Sequence, residues 1–187
     1  MPTRHIEHLR KDDTALVMID MQEPFLRDVH DRELVVKRVQ VLLDAAKVLG
    51  LPIIATLQNE NRLGGYVPEI AERLPENFHP IDKMTFSCMG SEEFRMALRV
   101  ASRHQILICG VETHICVSQT ALDLLRAGYQ AHVAADAVSS RSKEHSERSL
   151  DRMAKAGVVI SNSESALYEM LVEAGTPEFK QILNLIK

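Results

Sequence analysis

A chain of 187 residues is long enough for one domain with a sizeable core, and its composition, 45% hydrophobic and 26% charged, is that of an ordinary globular protein. The formal net charge is -4 and Lys and Arg are scattered among Asp and Glu, so no basic stripe forms to bind nucleic acid or an anionic membrane. No apolar run approaches the length of a bilayer span and none follows a charged signal-like segment, which points to a cytoplasmic location.

The stretch Met1 to Asp13 is polar and reads as an irregular lead-in. "TALVMID" (Thr14–Asp20) is a short apolar run suited to a strand buried on both faces. "DRELVVKRVQVLLDAAKVLG" carries apolar residues at Leu34, Val35, Val39, Leu42, Leu43 and Ala46, a helical stripe, with Gly50 placed to cap its C-terminus. "PIIATLQ" (Pro52–Gln58) reads as the second strand. In the mixed segment Asn59 to Asn77, "NENRLGGY" is loop-like and "PEIAERLP" predicts a short helix opened by a proline.

"DKMTFS" (Asp82–Ser87) predicts a third, short strand, and Ser91 is placed to cap the helix "EEFRMALRVASRH". "QILICGV" is a strand, "HICVSQTALDLLRAG" a helix closed by Gly128, and "QAHVAADAV", "SERSLDRMAKAG", "VVISN" and "SESALYEMLVEAG" repeat the alternation before a last amphipathic segment, "PEFKQILNLIK". Such alternation predicts an α/β fold in three layers: a doubly wound, mainly parallel sheet of about six strands with helices on both faces. No linker or repeat divides the chain, so a single domain over 1–187 is expected. Ligands of such sheets bind beyond the carboxyl ends of the strands, where strand order reverses.

That edge is where the candidate chemistry falls. Asp20 ends the first strand after five apolar residues, and Pro24 in "MQEPF" restricts Glu23 to extended backbone, so no regular helix is expected to follow; Asp20 then faces a cleft instead of capping a helix. Lys83, alone, would be an ordinary surface residue, but it lies at a cleft-forming strand end. The cysteines, Cys88, Cys109 and Cys116, are too few and too irregularly spaced for a disulfide framework or a zinc motif, and read as free thiols. Cys109 lies inside a strand and reads as a small hydrophobe, while Cys88 stays ambiguous. Cys116 falls in the first turn of a helix, where unpaired N–H groups and the positive dipole end favour thiolate. A Lys nearby would lower the thiol further and a carboxylate could take its proton. Taken singly, each of these residues has a bland reading as a cap, a surface cation or a packed thiol. As an Asp, Lys, Cys set at one sheet edge they point to an enzyme.

The segments "ALVMIDMQEPF", "DKMTFS" and "ILICGVETHICVSQTALDLLRAGYQAHVAADAVSSRS" resemble the isochorismatase-like cysteine hydrolases, and "LQNENRLGGYVPEI" and "PEFKQILNLIK" look like the isochorismatase-domain-containing subgroup. The resemblance runs from about Thr14 to the end of the chain. It implies a Rossmann-like fold, Cys116 as nucleophile, Asp20 as the proton acceptor that activates it, and Lys83 to stabilise the thiolate and orient the acid. It also implies a cis peptide joining Val111 and Glu112, with backbone N–H groups there and at Cys116 turned toward the substrate oxygen. A homo-oligomer is implied as well. Phe25 is a candidate for lining the pocket, and Asn59, Arg62 and Tyr66 for reading the substrate.

The departures narrow the chemistry. Nicotinamidases carry an Asp-x-His and a further His after the second strand to hold a metal, whereas "QNENRLGGY" has no histidine and His79 is too far along. No metal or other cofactor is therefore expected. Isochorismatase cleaves a vinyl ether without needing a thiol, so retention of Cys116 leans toward hydrolysis of a C–N bond in a small amide or carbamoyl-type molecule. The rivals are an Asp20-only vinyl-ether hydrolase, a phosphorylation-switched signalling domain, which lacks its acid cluster here because Met21 and Gln22 follow Asp20, and a redox or interaction module built on Cys116. Neither G-x-G-x-x-G nor a P-loop motif appears.

Overall fold

The computed structural model describes residues 8–187, so the first part of the expected lead-in lies outside the described residues. The strands are β1 (Thr14–Ile19), β2 (Ile53–Gln58), β3 (Ile81–Lys83), β4 (Gln105–Val111), β5 (Gln130–Ser139) and β6 (Val159–Ser161). They form a six-stranded sheet in the order β3-β2-β1-β4-β5-β6, every pairing parallel.

Parallel strands need crossovers, and these cover both faces of the sheet. On one face lie α2 (Arg32–Leu49), α8 (Ser163–Leu171) and α9 (Pro177–Ile186), packed on Leu16, Met18, Leu107 and Ala134. On the other lie α5 (Glu92–Ala101), α6 (Ser118–Arg126) and α7 (Lys143–Ala156), with Phe94, Leu98, Leu124 and Met153 set against Val17, Ile19, Ile106 and Ile108. Successive β1 residues thus serve opposite cores, which is why the strand is apolar without alternation. Gly50 caps α2 with φ 67°, and the Ser91 hydroxyl accepts from the Phe94 N–H at 3.3 Å to open α5.

Three local expectations change. The segment after Asp20 does make a helix, α1 (Glu23–Leu26): Gln22 is the extended residue, and Pro24 sits in the first turn, where its missing N–H has no partner to lose. Within "NENRLGGY" a short helix, α3 (Glu60–Leu63), forms before α4 (Pro68–Ala71). "DKMTFS" is strand only as far as Lys83, because β3 is an edge strand with a single partner and the chain then bends into a 3₁₀ turn at Cys88–Gly90.

Strand order reverses between β1 and β4, whose ends pair Ile19 with Gly110. Gly110 has φ 112°, and a Cβ there would stand 2.1 Å from the Ile19 carbonyl oxygen. Only glycine lets the two backbones approach at the point where both strands deliver their end residues. Gly110→Ala is expected to destabilise the fold by about 3 kcal/mol or more, seen as a lower urea midpoint.

His132 on β5 is 1% exposed, and neither ring nitrogen has a hydrogen-bond partner among the described residues. Burial pushes its pKa below the usual range, against the opposing pull of Glu169. The folded chain keeps the ring neutral while the unfolded chain protonates it below about pH 6.5. Stability from this residue is therefore full above that pH and is lost as pH falls toward the folded-state value. His132→Leu should flatten the acid limb of stability by up to about 1.4 kcal/mol per pH unit, measured by urea unfolding between pH 5 and 7.

Candidate active site

Asp20 follows β1 with its backbone in the left-handed region, φ 51°, and its N–H bonded to Thr56 O on β2 at 3.1 Å. That turn swings the carboxylate under the sheet edge, where it is fully buried. Its two oxygens are both used: Oδ1 accepts from the Thr56 hydroxyl at 2.7 Å and Oδ2 from Lys83 Nζ at 2.7 Å.

Lys83, the last residue of β3, is 3% exposed. Its ammonium has three protons. It donates to Asp20, to Gln58 Oε1 at 2.7 Å, and at longer range to Thr85 O at 3.3 Å and Cys116 Sγ at 3.8 Å. Burial alone would lower the Lys83 pKa, but Asp20, helped by Cys88 and Cys116, outweighs it and raises the value. The ammonium therefore stays charged inside the protein.

Cys116 does not sit in the opening turn of a regular α-helix. Residues Thr113–Val117 form a π-helical turn ahead of α6, and the peptide bond between Val111 and Glu112 is cis. The Glu112 carbonyl accepts from the N–H groups of Ile115 and Val117 at 3.1 and 3.2 Å. Side chains from the loop after β5 and from α7 clamp this turn. Arg141 Nε donates to the buried Glu112 carboxylate at 2.9 Å, the Ser140 hydroxyl meets His114 Nδ1 at 3.0 Å, and the Ser146 hydroxyl donates to Thr113 Oγ1 at 3.0 Å. The His114 ring also lies 4.9 Å from that of His145.

The electrostatics differ from the sequence expectation of a thiolate. Burial pushes the Cys116 thiol well above the ordinary range, Asp20 adds to this through its charge and a hydrogen bond, and Lys83 only partly offsets them. Helix-start effects act within one turn and are modest next to removal of an anion from water. The resting pair is thus a thiol against a carboxylate.

The sequence missed several residues that complete this cluster. Thr56 and Gln58 are polar members of the apolar β2 run, and their position in a fully buried strand was the available signal. Gln22 ties the end of β2 to the loop beyond it: Oε1 accepts from Gln58 N at 2.8 Å, and Nε2 donates to Gln58 O and, at 2.6 Å, to Gly64 O. Cys88 is buried against Thr56 at 3.9 Å, with its thiol pushed up to about 11, mainly by burial. Cys109 is buried within β4, as its place in the strand predicts.

The candidate substrate residues separate. Tyr66 pairs with Gln22 through an isolated antiparallel bridge, which brings it next to the Asp20 segment. Phe25 packs partly buried against the core on the α2 side. Asn59 serves as the left-handed residue that opens α3, φ 46°, and Arg62 is exposed on α3. Among the described residues no group of three or more His, Cys, Asp or Glu side chains is arranged to hold a metal ion, and no helix is long and apolar enough to cross a membrane.

The isochorismatase domain model matches residues 14–165. The secreted isochorismatase effector Isc1 of Phytophthora sojae is 37% identical over 188 positions, covering 99% of this chain and 90% of its own. The structure of MAR1 ribonuclease from Caenorhabditis elegans superposes with a TM-score of 0.89 at 33% identity, covering 96% of this chain and 92% of that one. The Escherichia coli YcaC product, an octameric hydrolase of unknown specificity, has a TM-score of 0.87 at 26% identity, with 95% and 90% coverage. A family match over most of the length, on a fold that brings Asp20, Lys83 and Cys116 to one buried cluster, places this chain in the isochorismatase family of hydrolases.

Proposed function

We propose that this hydrolase cleaves the C–N bond of a small amide or carbamoyl-type molecule through Cys116, Asp20 and Lys83, without a metal. The observation that carries the reading is the buried chain of contacts from Thr56 through Asp20 and Lys83 to the Cys116 sulfur. In the first step Asp20 takes the thiol proton while Sγ bonds to the carbonyl carbon. Backbone N–H groups of the Val111–Glu112 turn and of Cys116 hold the oxyanion. The C–N bond then breaks, and protonated Asp20 delivers its proton to the leaving amine. Water next loses a proton to Asp20 as its oxygen attacks the thioester; the C–S bond then breaks to release the acid, and Asp20 returns its proton to the leaving sulfur, restoring the thiol. Lys83 stays protonated throughout and neutralises whichever of Asp20 and Cys116 is anionic.

Phe25, Asn59, Arg62 and Tyr66, all on segments flanking Asp20 and β2, are proposed to shape the substrate pocket. A homo-oligomer is proposed on the octameric state of the YcaC relative and the amphipathic α9. The three free buried cysteines support a cytoplasmic setting, and the net charge of -4 speaks against nucleic acid as substrate. The other reading, an Asp20-only hydrolase of a vinyl ether, draws on the raised Cys116 thiol. It requires that Cys116→Ser retain turnover.

Cys116→Ala and Asp20→Asn should each lower turnover of the best substrate in a panel of small amides by about 10³-fold or more, with a mass shift for a trapped acyl group seen only where Cys116 is present. Full activity of Cys116→Ala would end the thiol mechanism.

The ionisation of Cys116 supplies a separate check by alkylation against pH. In the wild type its midpoint should lie above that of an ordinary thiol, near 8.5. Asp20→Asn removes a charge that raises the thiol and should move the midpoint down, whereas Lys83→Met should move it up. Asp20→Asn would then be richer in thiolate yet inactive, which separates a general base from a simple ion-pair role.

A further inference from the structure

Tyr66 lies in the loop between α3 and α4, and that loop is stapled to the segment carrying Asp20. Its backbone bridges to Gln22, the next residue Val67 donates its N–H to Met21 O at 3.1 Å, and Gln22 holds Gly64 O. The ring packs against the core on the α2 side. The phenol oxygen is buried and has no hydrogen-bond partner among the described residues. Polar groups nearby are already spent: the Thr56 hydroxyl on Asp20, and the Gln22 and Gln58 side chains on the backbone and Lys83. Burial first, then the nearby Asp20, Glu60 and Cys88, pushes the phenol above its ordinary range, so it is a neutral O–H donor at any working pH.

Buried hydroxyls without partners are uncommon in folded proteins, and each calls for an explanation. The explanation here comes from the charges around it. Asp20 and Lys83 sum to zero, and Glu60 adds negative charge near the phenol. The Arg141 guanidinium is held by Glu112, and Arg62 is solvent-exposed. An anionic oxygen brought to Tyr66 would add to the negative charge of Glu60, since the Asp20–Lys83 pair is already neutral and Arg141 is engaged by Glu112.

We propose that the Tyr66 hydroxyl reads the substrate, donating a hydrogen bond to an oxygen of a neutral carbonyl or carbamoyl compound, and that carboxylate-bearing compounds are rejected at this point. The assignment rests on the reading of Cys116 as nucleophile, and the test keeps the two apart. Iodoacetamide and iodoacetate offer the thiol the same leaving group on a neutral amide and on a carboxylate. Rates of Cys116 adduct formation are followed by mass spectrometry for wild type and Tyr66→Phe, with 2-mercaptoethanol giving the intrinsic ratio of the two reagents.

The wild type should favour iodoacetamide over iodoacetate by roughly tenfold or more beyond that intrinsic ratio. Tyr66→Phe should slow iodoacetamide by about three- to tenfold and leave iodoacetate within about twofold, the size expected for one lost hydrogen bond. Because the hydroxyl is unpartnered in the free protein, Tyr66→Phe should melt no lower than wild type. An intrinsic ratio at Cys116, an equal fall with both reagents, or a destabilised Tyr66→Phe would each overturn the Tyr66 assignment while leaving the nucleophile in place. If neither reagent labels Cys116 in the wild type, the nucleophile reading falls and takes this assignment with it.

Discussion

Two opposite charges, Asp20 and Lys83, are taken almost completely out of water at the centre of the sheet edge. Moving such ions inward costs several kcal/mol each, and their attraction repays this only when geometry is good and the leftover donors and acceptors are satisfied. Much of the local architecture serves that condition. Thr56 supplies the second partner of Asp20, Gln58 accepts a further hydrogen bond from Lys83, and Gln22 locks the end of β2 so that both stay in register. Gly110 lets β4 come close enough to β1 for the two strand ends to share one site. Remove Thr56, Gln58 or Gln22 and a buried charge or backbone group is left without one of its partners.

The same pair sets the state of the thiol. With Asp20 anionic, ionising Cys116 would place two negative groups around one ammonium in a dry setting, so the thiol is held protonated. A proton passed from Cys116 to Asp20 changes the local charge sum not at all; a proton lost to solvent changes it by a full unit. In the proposed reaction the low-cost path is therefore internal transfer, coupled to formation of the S–C bond. Nucleophilicity then comes from the nearby base and not from a standing thiolate, which is a different arrangement from cysteines activated by a helix terminus alone.

Much of this was legible in the sequence where physics acts locally. Strands buried on both faces show as unbroken apolar runs, and α2 and α5 show as stripes with a capping Gly50 and Ser91. The doubly wound order then puts the ends of β1 and β4 side by side, which is how Asp20 and Cys116 could be paired from a string of letters. What escaped depends on depth and on distance. The ionisation of Cys116 turns on how fully the fold buries it, which a first-turn position does not reveal. Thr56, Gln58 and Cys88 matter through neighbours 25 to 36 residues away, so the polar letters in the buried β2 run mark Thr56 and Gln58 as unusual but name no partner for them. Pro24 was legible as a restriction, but its effect on Glu23 was overridden because the proline could be placed in the first turn of α1.

Relatives of this chain bear names as different as isochorismatase effector, ribonuclease and hydrolase of unknown specificity, and the solved structures of the latter two superpose closely on it. A shared fold does not dictate one reaction; the site's own residues do. Here the buried Asp20–Lys83–Cys116 cluster lies under short strands and tight turns that leave little freedom to vary. The loop from Asn59 to Val67 is different: it is tied down at Gln22 and Met21, yet Asn59, Glu60 and Arg62 have no packing duty comparable to that of the strands. Such loops on a fixed scaffold are where binding specificity changes most cheaply. Within it Tyr66 is unusual, because its ring is held by the core while its hydroxyl has no hydrogen-bond partner among the described residues. On the proposed reading, a donor held in this way would select among small neutral carbonyl compounds, which would make this loop, more than the buried cluster, the place where substrate choice is set.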